Sequence, residues 1–420
     1  MTIPFRAATS TKEIVFVRHA ESQANRDGIW NGRMDGPLSE AGEESLEALG
    51  QRLSRQHFDV VVSSSLTRAR RTAEAFADAV IVDDEFVEID LGKWEGMPFD
   101  DVRSKYGEEL REAVSTGTLP MGGTGETLEQ ARKRALSAVD RLFEALNDGE
   151  RAAVVTHGGF LQAVIRRHLK GDARRVHAFT QNTAITRIVR QFDRYRLASF
   201  NDVGHLGSGS KPVRQHLDEG TPVLALVRHG RTRANVERRW QGHGDWDLDE
   251  FGFRQAEALR GWYGTKETVY SSPLKRAIST ARHIASNGVV PVTGLEEIEM
   301  GEWEGLTTEQ IIEGWPAVME RIYKHGVDLR RGITGESWGE LTVRFTKALD
   351  GVEKAPGAPT VVVAHGGAIR SYVSSITDTE ETYGESLFTP SNTSVTHVAL
   401  TKAGPEILDY GVAPHLETLQ

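Results

Sequence analysis

The chain has 420 residues, of which 39% are hydrophobic and 26% charged, a balance that predicts about two domains of ordinary soluble type. It contains no cysteine, which excludes disulfides, thiolate zinc sites, iron–sulfur clusters and cysteine nucleophiles. The formal net charge of -10 argues against a general nucleic-acid coat, which needs a basic surface to displace counterions.

Glu13–Val17 is a short apolar run rich in β-branched residues and predicts a buried strand. Ala41–Leu53 then carries apolar residues at helical spacing. Val60–Val62 reads as a second strand, and Arg68–Ala77 follows a Ser-Ser turn as a helix with a polar start. A longer helix over Glu126–Leu146 precedes a strand at Ala152–Thr156. The succession then begins again: strand Val223–Val227, helices Gly252–Gly261, Arg276–Ala285 and Glu336–Val352, and strand Thr360–Ala364. Strands alternating with helices argue for an α/β fold with a largely parallel sheet.

The second succession copies the first. Phe16-Val17-Arg18-His19-Ala20 returns as Leu226-Val227-Arg228-His229-Gly230, offset by 210. Leu66-Thr67-Arg68-Ala69 returns as Leu274-Lys275-Arg276-Ala277, offset by 208. Glu88 with Gly92-Lys93-Trp94-Glu95-Gly96 returns as Glu297 with Gly301-Glu302-Trp303-Glu304-Gly305, offset by 209. His157-Gly158-Gly159 returns as His365-Gly366-Gly367, and Asn182-Thr183 as Asn392-Thr393. Anchors in one order at nearly constant offset mean a whole-domain duplication, since solenoid repeats have periods of about 20–50 residues. The expected domains are 11–206 and 221–416, joined by a linker over 207–220 that opens with Gly207-Ser208-Gly209-Ser210.

His19, His157, His229 and His365 all follow predicted strand ends, where open α/β sheets bind ligands. Each copy therefore offers Arg-His, Arg, Glu and His to one pocket. Two guanidinium groups match the oxygens of a phosphate. A neutral histidine can attack phosphorus, a second histidine can share the phosphoryl charge, and a carboxyl group can protonate the departing alkoxide. Taken singly, each of these residues reads more simply as a structural or solvated group, and Trp94 and Trp303 as core. The matched recurrence of all four elements outweighs that simpler reading.

Both halves resemble the histidine phosphatase superfamily, with its phosphoglycerate-mutase-like fold. The motifs are Arg18-His19-Ala20-Glu21-Ser22 with Asn25, Ser64-Ser65-Leu66-Thr67-Arg68-Ala69, Glu88, and His157-Gly158-Gly159. Their second versions are Arg228-His229-Gly230-Arg231-Thr232 with Asn235, Ser271-Ser272-Pro273-Leu274-Lys275-Arg276-Ala277, Glu297, and His365-Gly366-Gly367. The resemblance implies a three-layer fold in each half, a mostly parallel central sheet flanked by helices. It implies that His19 and His229 are nucleophiles and that Glu88 and Glu297 are proton donors. It places Arg18, Arg68 and His157 in one phosphate pocket and Arg228, Arg276 and His365 in the other, lined by Asn25 and Asn235. Glu95 and Glu304, beside the tryptophans, are the alternative acids. Arg231 predicts a more basic mouth for the second pocket.

The expected function is hydrolysis of small phosphomonoesters through a phosphohistidine, with no metal or other cofactor. The alternatives are a phosphoglycerate-type mutase, or one catalytic half with a ligand-binding, regulatory half. Met97–Thr124 and Leu306–Thr334 differ strongly between copies and are expected to cap the pockets and set two substrate preferences. No apolar run approaches the roughly 20 residues of a membrane span. Met1–Ser10 has no apolar stretch of leader type, so a cytoplasmic protein is expected. The two halves are expected to pack on one another. The arginine-rich stretch 166–196 reads as a solvated face, or as a contact surface for the more acidic second half.

Overall fold

The computed structural model describes residues 11–169, 176, 180–191, 194–377 and 386–419. Among the described residues twelve strands fall into two six-stranded sheets. The first contains β1 (Thr11–Arg18), β2 (Val60–Ser63), β3 (Ile81–Val82), β4 (Arg151–Thr156), β5 (Ile185–Gln191) and β6 (Arg194–Asp202). The second contains β7 (Val223–Arg228), β8 (Lys266–Ser271), β9 (Ala285–Pro291), β10 (Thr360–Ala364), β11 (Val395–Thr401) and β12 (Gly404–Ile407). The orders are β3-β2-β4-β1-β5-β6 and, read in the same sense, β9-β8-β10-β7-β11-β12. The duplication seen in the residues is thus repeated in the topology.

In each sheet four neighbouring strands pair in parallel and the fifth in order is antiparallel to them; β12, antiparallel to β11, points the same way as β7. β4 lies parallel between β1 and β2, and β5 runs antiparallel on the other side of β1. β10 lies parallel between β7 and β8, with β11 antiparallel to β7. The central strands read as continuous apolar runs because helices cover both faces of such sheets. Ile14, Val15, Phe16 and Val17 are all fully buried, as are Ala152–Val155. One core joins Val15, Val17, Val61, Ala153 and Val155 to Leu49 and Leu53 of the Glu40–Leu53 helix and to Ala69 and Ala73 of the Thr67–Glu74 helix. Its counterpart joins Ala225, Val227, Val361 and Val363 to Leu259, Ala277 and Ala281.

Two local expectations change. The Thr67–Glu74 and Lys275–Ile284 helices do not take a serine cap; Leu66 and Leu274 occupy the cap positions with no side-chain bond. The segment expected as linker contains a helix, Lys211–Asp218, capped by the Ser210 hydroxyl and started by Pro212. Its Val213 is buried against Val223, Ala399 and Leu408.

The chain divides into two compact units, and the boundary in this part of the chain falls between Tyr195 and Arg196, inside β6. The unit that begins at Arg196 therefore includes the end of the first repeat. Within it, Leu197 exchanges bonds with Ser386 and Phe388 at 2.8 and 2.9 Å, and Phe200 pairs with Tyr410 at 2.9 and 3.0 Å. In the arginine-rich stretch, Arg167, Arg187 and Arg190 form ion pairs with Asp140, Glu13 and Glu144 of their own unit. Arg174 and Arg175 lie outside the described residues. Among the described residues no helix is long and apolar enough to cross a membrane.

Candidate active sites

Each sheet brings its sequence-selected residues together at the carboxyl ends of three adjacent strands. Arg18 and His19 end β1, Ser63 and Ser64 end β2, and Thr156 and His157 end β4. The His19 and His157 rings lie 5.0 Å apart between centroids, and those of His229 and His365 lie 5.1 Å apart. All four rings are buried.

The hydrogen bond at His19 fixes its tautomer. Nδ1 lies 2.7 Å from the carbonyl oxygen of Ala20, which only accepts, so Nδ1 carries the proton. Nε2 of the neutral ring then holds a lone pair. His229 repeats this with the Gly230 carbonyl at 2.7 Å. Burial, then Arg68 and Arg18, hold the His19 imidazole well below its ordinary value. Burial, then Arg276 and Arg228, do the same at His229. Both rings are therefore neutral near pH 7.

The arginines are fixed by backbone carbonyls, and three of the four keep a buried Nε–H without a partner. Arg68 donates to Met34 and Gly32, each at 2.7 Å, and its buried Nε has no partner. Arg276 donates to Gly244 and Gly242 at 2.7 and 2.8 Å. Arg18 donates to the Thr180 carbonyl, and Arg228 to that of Pro390 at 2.7 Å; in both the buried Nε is unpartnered. Burial lowers all four guanidinium values, Arg228 and Arg276 to about 10, so all remain charged at neutral pH. Unpartnered buried N–H groups on cations are costly unless an anion completes them.

Glu88 reaches the start of the Gly158–Ile165 helix, accepting from the Gly159 and Phe160 amides at 3.0 and 3.1 Å. Glu297 accepts from Gly367 and Ala368 at 2.9 and 3.0 Å. The second glycine of each His-Gly-Gly makes room for this contact. A Cβ on Gly159 would sit 2.5 Å from a Glu88 oxygen, and one on Gly367 would sit 2.4 Å from Glu297. The alternative acids are elsewhere engaged: Glu95 accepts from Arg33 and Leu91, and Glu304 from Gly242 and His243. Asn25 and Asn235 complete the capping boxes begun by Ser22 and Thr232 on the short helices that follow His19 and His229, and Asn182 and Asn392 join them while donating to the His19 and His229 carbonyls at 2.9 Å. Trp94 and Trp303 are core residues. Arg231 is paired with Asp249 at 2.8 Å and stacked on Phe251, so the expected extra charge at the second mouth is already neutralised.

Two sets of residues escaped the sequence reading. Ser64 and Ser272 hold the second histidines, with Oγ to Nε2 distances of 2.7 and 2.8 Å. Arg276 Nε donates to His365 Nδ1 at 3.2 Å, so that ring carries its proton on Nε2 and gives it to Ser272. Burial, then Arg68 and Arg276 respectively, hold His157 and His365 well below the ordinary imidazole value, so both are neutral near pH 7. Behind each acid, Arg134 and Arg344 grip Glu126 and Glu336 with two bonds of 2.7–2.8 Å and also donate to the Glu88 and Glu297 carbonyls. The Glu-Arg spacing of eight residues in both copies was the signal available.

Residues 14–203 and 224–413 each match the family model of the histidine phosphatase superfamily, branch 1. The chain belongs to the histidine phosphatase superfamily. Phosphoserine phosphatase 1 of Hydrogenobacter thermophilus is 32% identical over 200 residues, covering 46% of this chain and 94% of that protein. A metal-independent phosphoserine phosphatase of Arabidopsis thaliana is 36% identical over 162 residues, covering 37% and 68%. A phosphoserine phosphatase variant of Entamoeba histolytica, solved with phosphoserine, matches 46% of this chain and 99% of its own at 26% identity, with a TM-score of 0.42. A Bacillus anthracis phosphoglycerate mutase matches 48% and 98% at 24% identity, also with a TM-score of 0.42. As a histidine phosphatase with phosphoserine phosphatase relatives, the chain is a phosphoric monoester hydrolase.

Proposed function

We propose that both repeats, taken as 11–206 and 221–416, hydrolyse small phosphomonoesters through a phosphohistidine, without a metal ion. The observation that carries this reading is the tautomer of His19 and His229. Each ring is neutral, with Nδ1–H held by a carbonyl and Nε2 left as the nucleophilic nitrogen beside two buried arginines.

In the first half, the phosphoryl oxygens complete the unpartnered N–H groups of Arg18 and Arg68. His19 Nε2 attacks phosphorus, forming a P–N bond as the P–O bond breaks. Glu88 gives its proton to the leaving oxygen. Water then attacks phosphorus, Glu88 takes a proton from it, and the P–N bond breaks to release phosphate and the neutral histidine. His157 takes a proton on Nδ1 when the dianion binds and so shares its charge. In the second half His229 and Glu297 take the same roles and Arg228 offers its unpartnered Nε–H, while Arg276 Nε must turn from His365 Nδ1 to the dianion before that ring can take a proton. Charge stabilisation comes from guanidinium and imidazole groups, which is why no metal is needed. Phosphoserine is the first substrate to assay, because relatives carry it in their names. The lack of cysteine fits a reducing compartment, and the cytoplasm is the proposed location.

Single and paired nucleophile substitutions test the proposal. On a substrate that both sites accept, His19→Ala and His229→Ala should each remove one site's share, and the double variant should lose at least about 10³-fold, the scale expected for a covalent nucleophile. Activity should survive a chelator. A double variant with the parent rate, or chelator-sensitive activity restored by a divalent ion, would overturn the reading.

A further inference from the structure

The two pockets share their tetrads but not their surroundings. Arg370 lies five residues after His365, on the Gly366–Ile376 helix; the first copy has Gln162 in that position. Its guanidinium stacks over Trp338 at 4.8 Å and donates to Thr389 Oγ1 at 3.2 Å. Its Nε is buried without a partner, and it forms no ion pair among the described residues. Its partner Thr389 stands against the pocket, since a Cβ on Gly366 would lie 2.5 Å from Thr389 Cγ2 and 3.1 Å from Arg228 Nε. Arg228, Glu297, Tyr323, Arg331 and Tyr410 also act on Arg370 electrostatically.

Arg331 is the second difference. It is 3% exposed and lies 3.7 Å from Asp328, whose carboxylate is also bound to the Trp338 and Gly339 amides. In the first copy the matching residue is Met121, packed with Ile89, Leu91 and Trp94. The first copy does have Arg33 where the second has His243, but Arg33 is committed to Glu126 at 3.1 Å.

Charge decides what these differences mean. A phosphate dianion balances Arg228 and Arg276, as it balances Arg18 and Arg68. In the second pocket Arg370 is then left over, with no carboxylate paired to it among the described residues. An enclosed cation with an unpartnered N–H is stabilised by a further anion, and a guanidinium fork fits a carboxylate or phosphate.

We propose that Arg370, backed by Arg331, makes the second site selective for phosphomonoesters that carry a second anionic group, and that the first site lacks this selectivity. The inference rests on the phosphatase reading of the second site. The second anion is a carboxylate or another phosphate, and the test separates them.

The experiment uses the full chain with His19→Ala, so that turnover reports the second site. Substrates are O-phosphoserine, fructose 1,6-bisphosphate and p-nitrophenyl phosphate. Arg370→Gln, which installs the first copy's residue, should lower the kcat/KM ratio of an acidic substrate to p-nitrophenyl phosphate at least 10-fold, mainly through KM. The ratio does not depend on the fraction of folded protein. A fall confined to O-phosphoserine identifies the carboxylate, and one confined to the bisphosphate identifies the second phosphate. Arg370→Lys, which keeps the charge, should recover part of the ratio. A change below 3-fold for both acidic substrates in Arg370→Gln overturns the proposal. If the His19→Ala chain hydrolyses none of the three, the phosphatase reading of this site fails. Calorimetric binding then decides the selectivity: weakening of O-phosphoserine or bisphosphate relative to inorganic phosphate in Arg370→Gln supports it, and equal effects overturn it.

Discussion

Gly159 has no side chain because a carboxylate oxygen of Glu88 occupies the space where a Cβ would stand. The same amide that approaches the carboxylate also donates to it at 3.0 Å. Gly159→Ala should therefore displace Glu88 while leaving His19 in place. In a His229→Ala background, kcat should fall about 10²-fold or more, the scale of a lost general acid, and most for substrates with poor leaving groups. Steady-state rates on alkyl and p-nitrophenyl phosphates would measure this; a kcat within 3-fold of the parent on both would contradict it. At this scale much was legible in the sequence. Arg18, His19, Arg68, Glu88 and His157 stand together, as do their five counterparts, because each follows a strand end or a fixed turn. Ser64 was not legible as a histidine partner. Its bond to His157 spans 93 residues and depends on β2 lying beside β4. Arg370 and Gln162 were equally silent, since their meaning lies in what surrounds them.

The strands and helices that carry the tetrads were legible because their apolar runs are continuous and their helices strongly periodic. Edge elements were not. β3 has two residues, both exposed, and β5 alternates buried and half-buried positions among arginines, so neither shows a simple apolar run. β6 hides a further feature. Its residues from Arg196 belong to the second compact unit, where Leu197, Phe200 and Asn201 make five hydrogen bonds to Ser386, Phe388, Leu408 and Tyr410. Leu197 and Phe200 are buried. Sequence similarity and sheet order assign this strand to the first repeat, yet its residues from Arg196 group with the second compact unit. A fragment of residues 196–420 should therefore be more stable than one of 207–420. At about 1 kcal/mol per hydrogen bond and about 2 for each buried side chain, the loss is at most about 9 kcal/mol, which lowers Tm by up to about 20–35 °C. Equal melting temperatures would show that the strand contributes nothing.

Across the whole molecule, duplication sets the pattern: two sheets of one order, two histidine pairs, two acids against helix starts. It also sets the response to pH. His19, His157, His229 and His365 are all held well below 6.5, so the folded chain keeps them neutral where the unfolded chain binds protons. Their contribution is complete above pH 6.5 and is lost as pH falls below it. Between pH 7 and 5.5 each costs on the order of 1 kcal/mol, and the pair in each unit about twice that. Thermal melts without ligand should fall by about 5–10 °C over that range. A flat profile would contradict the buried neutral pairs.

The central claim is that both halves form a phosphohistidine, and trapping the phosphoenzyme tests it most directly. Rapid quenching into base with labelled substrate, followed by mass analysis, reads the site and the number of phosphoryl groups. The account predicts base-stable, acid-labile label on His19 and His229, only the other site labelled in each single alanine variant, and none in the double variant. Label on serine, or label that survives in the double variant, would contradict it.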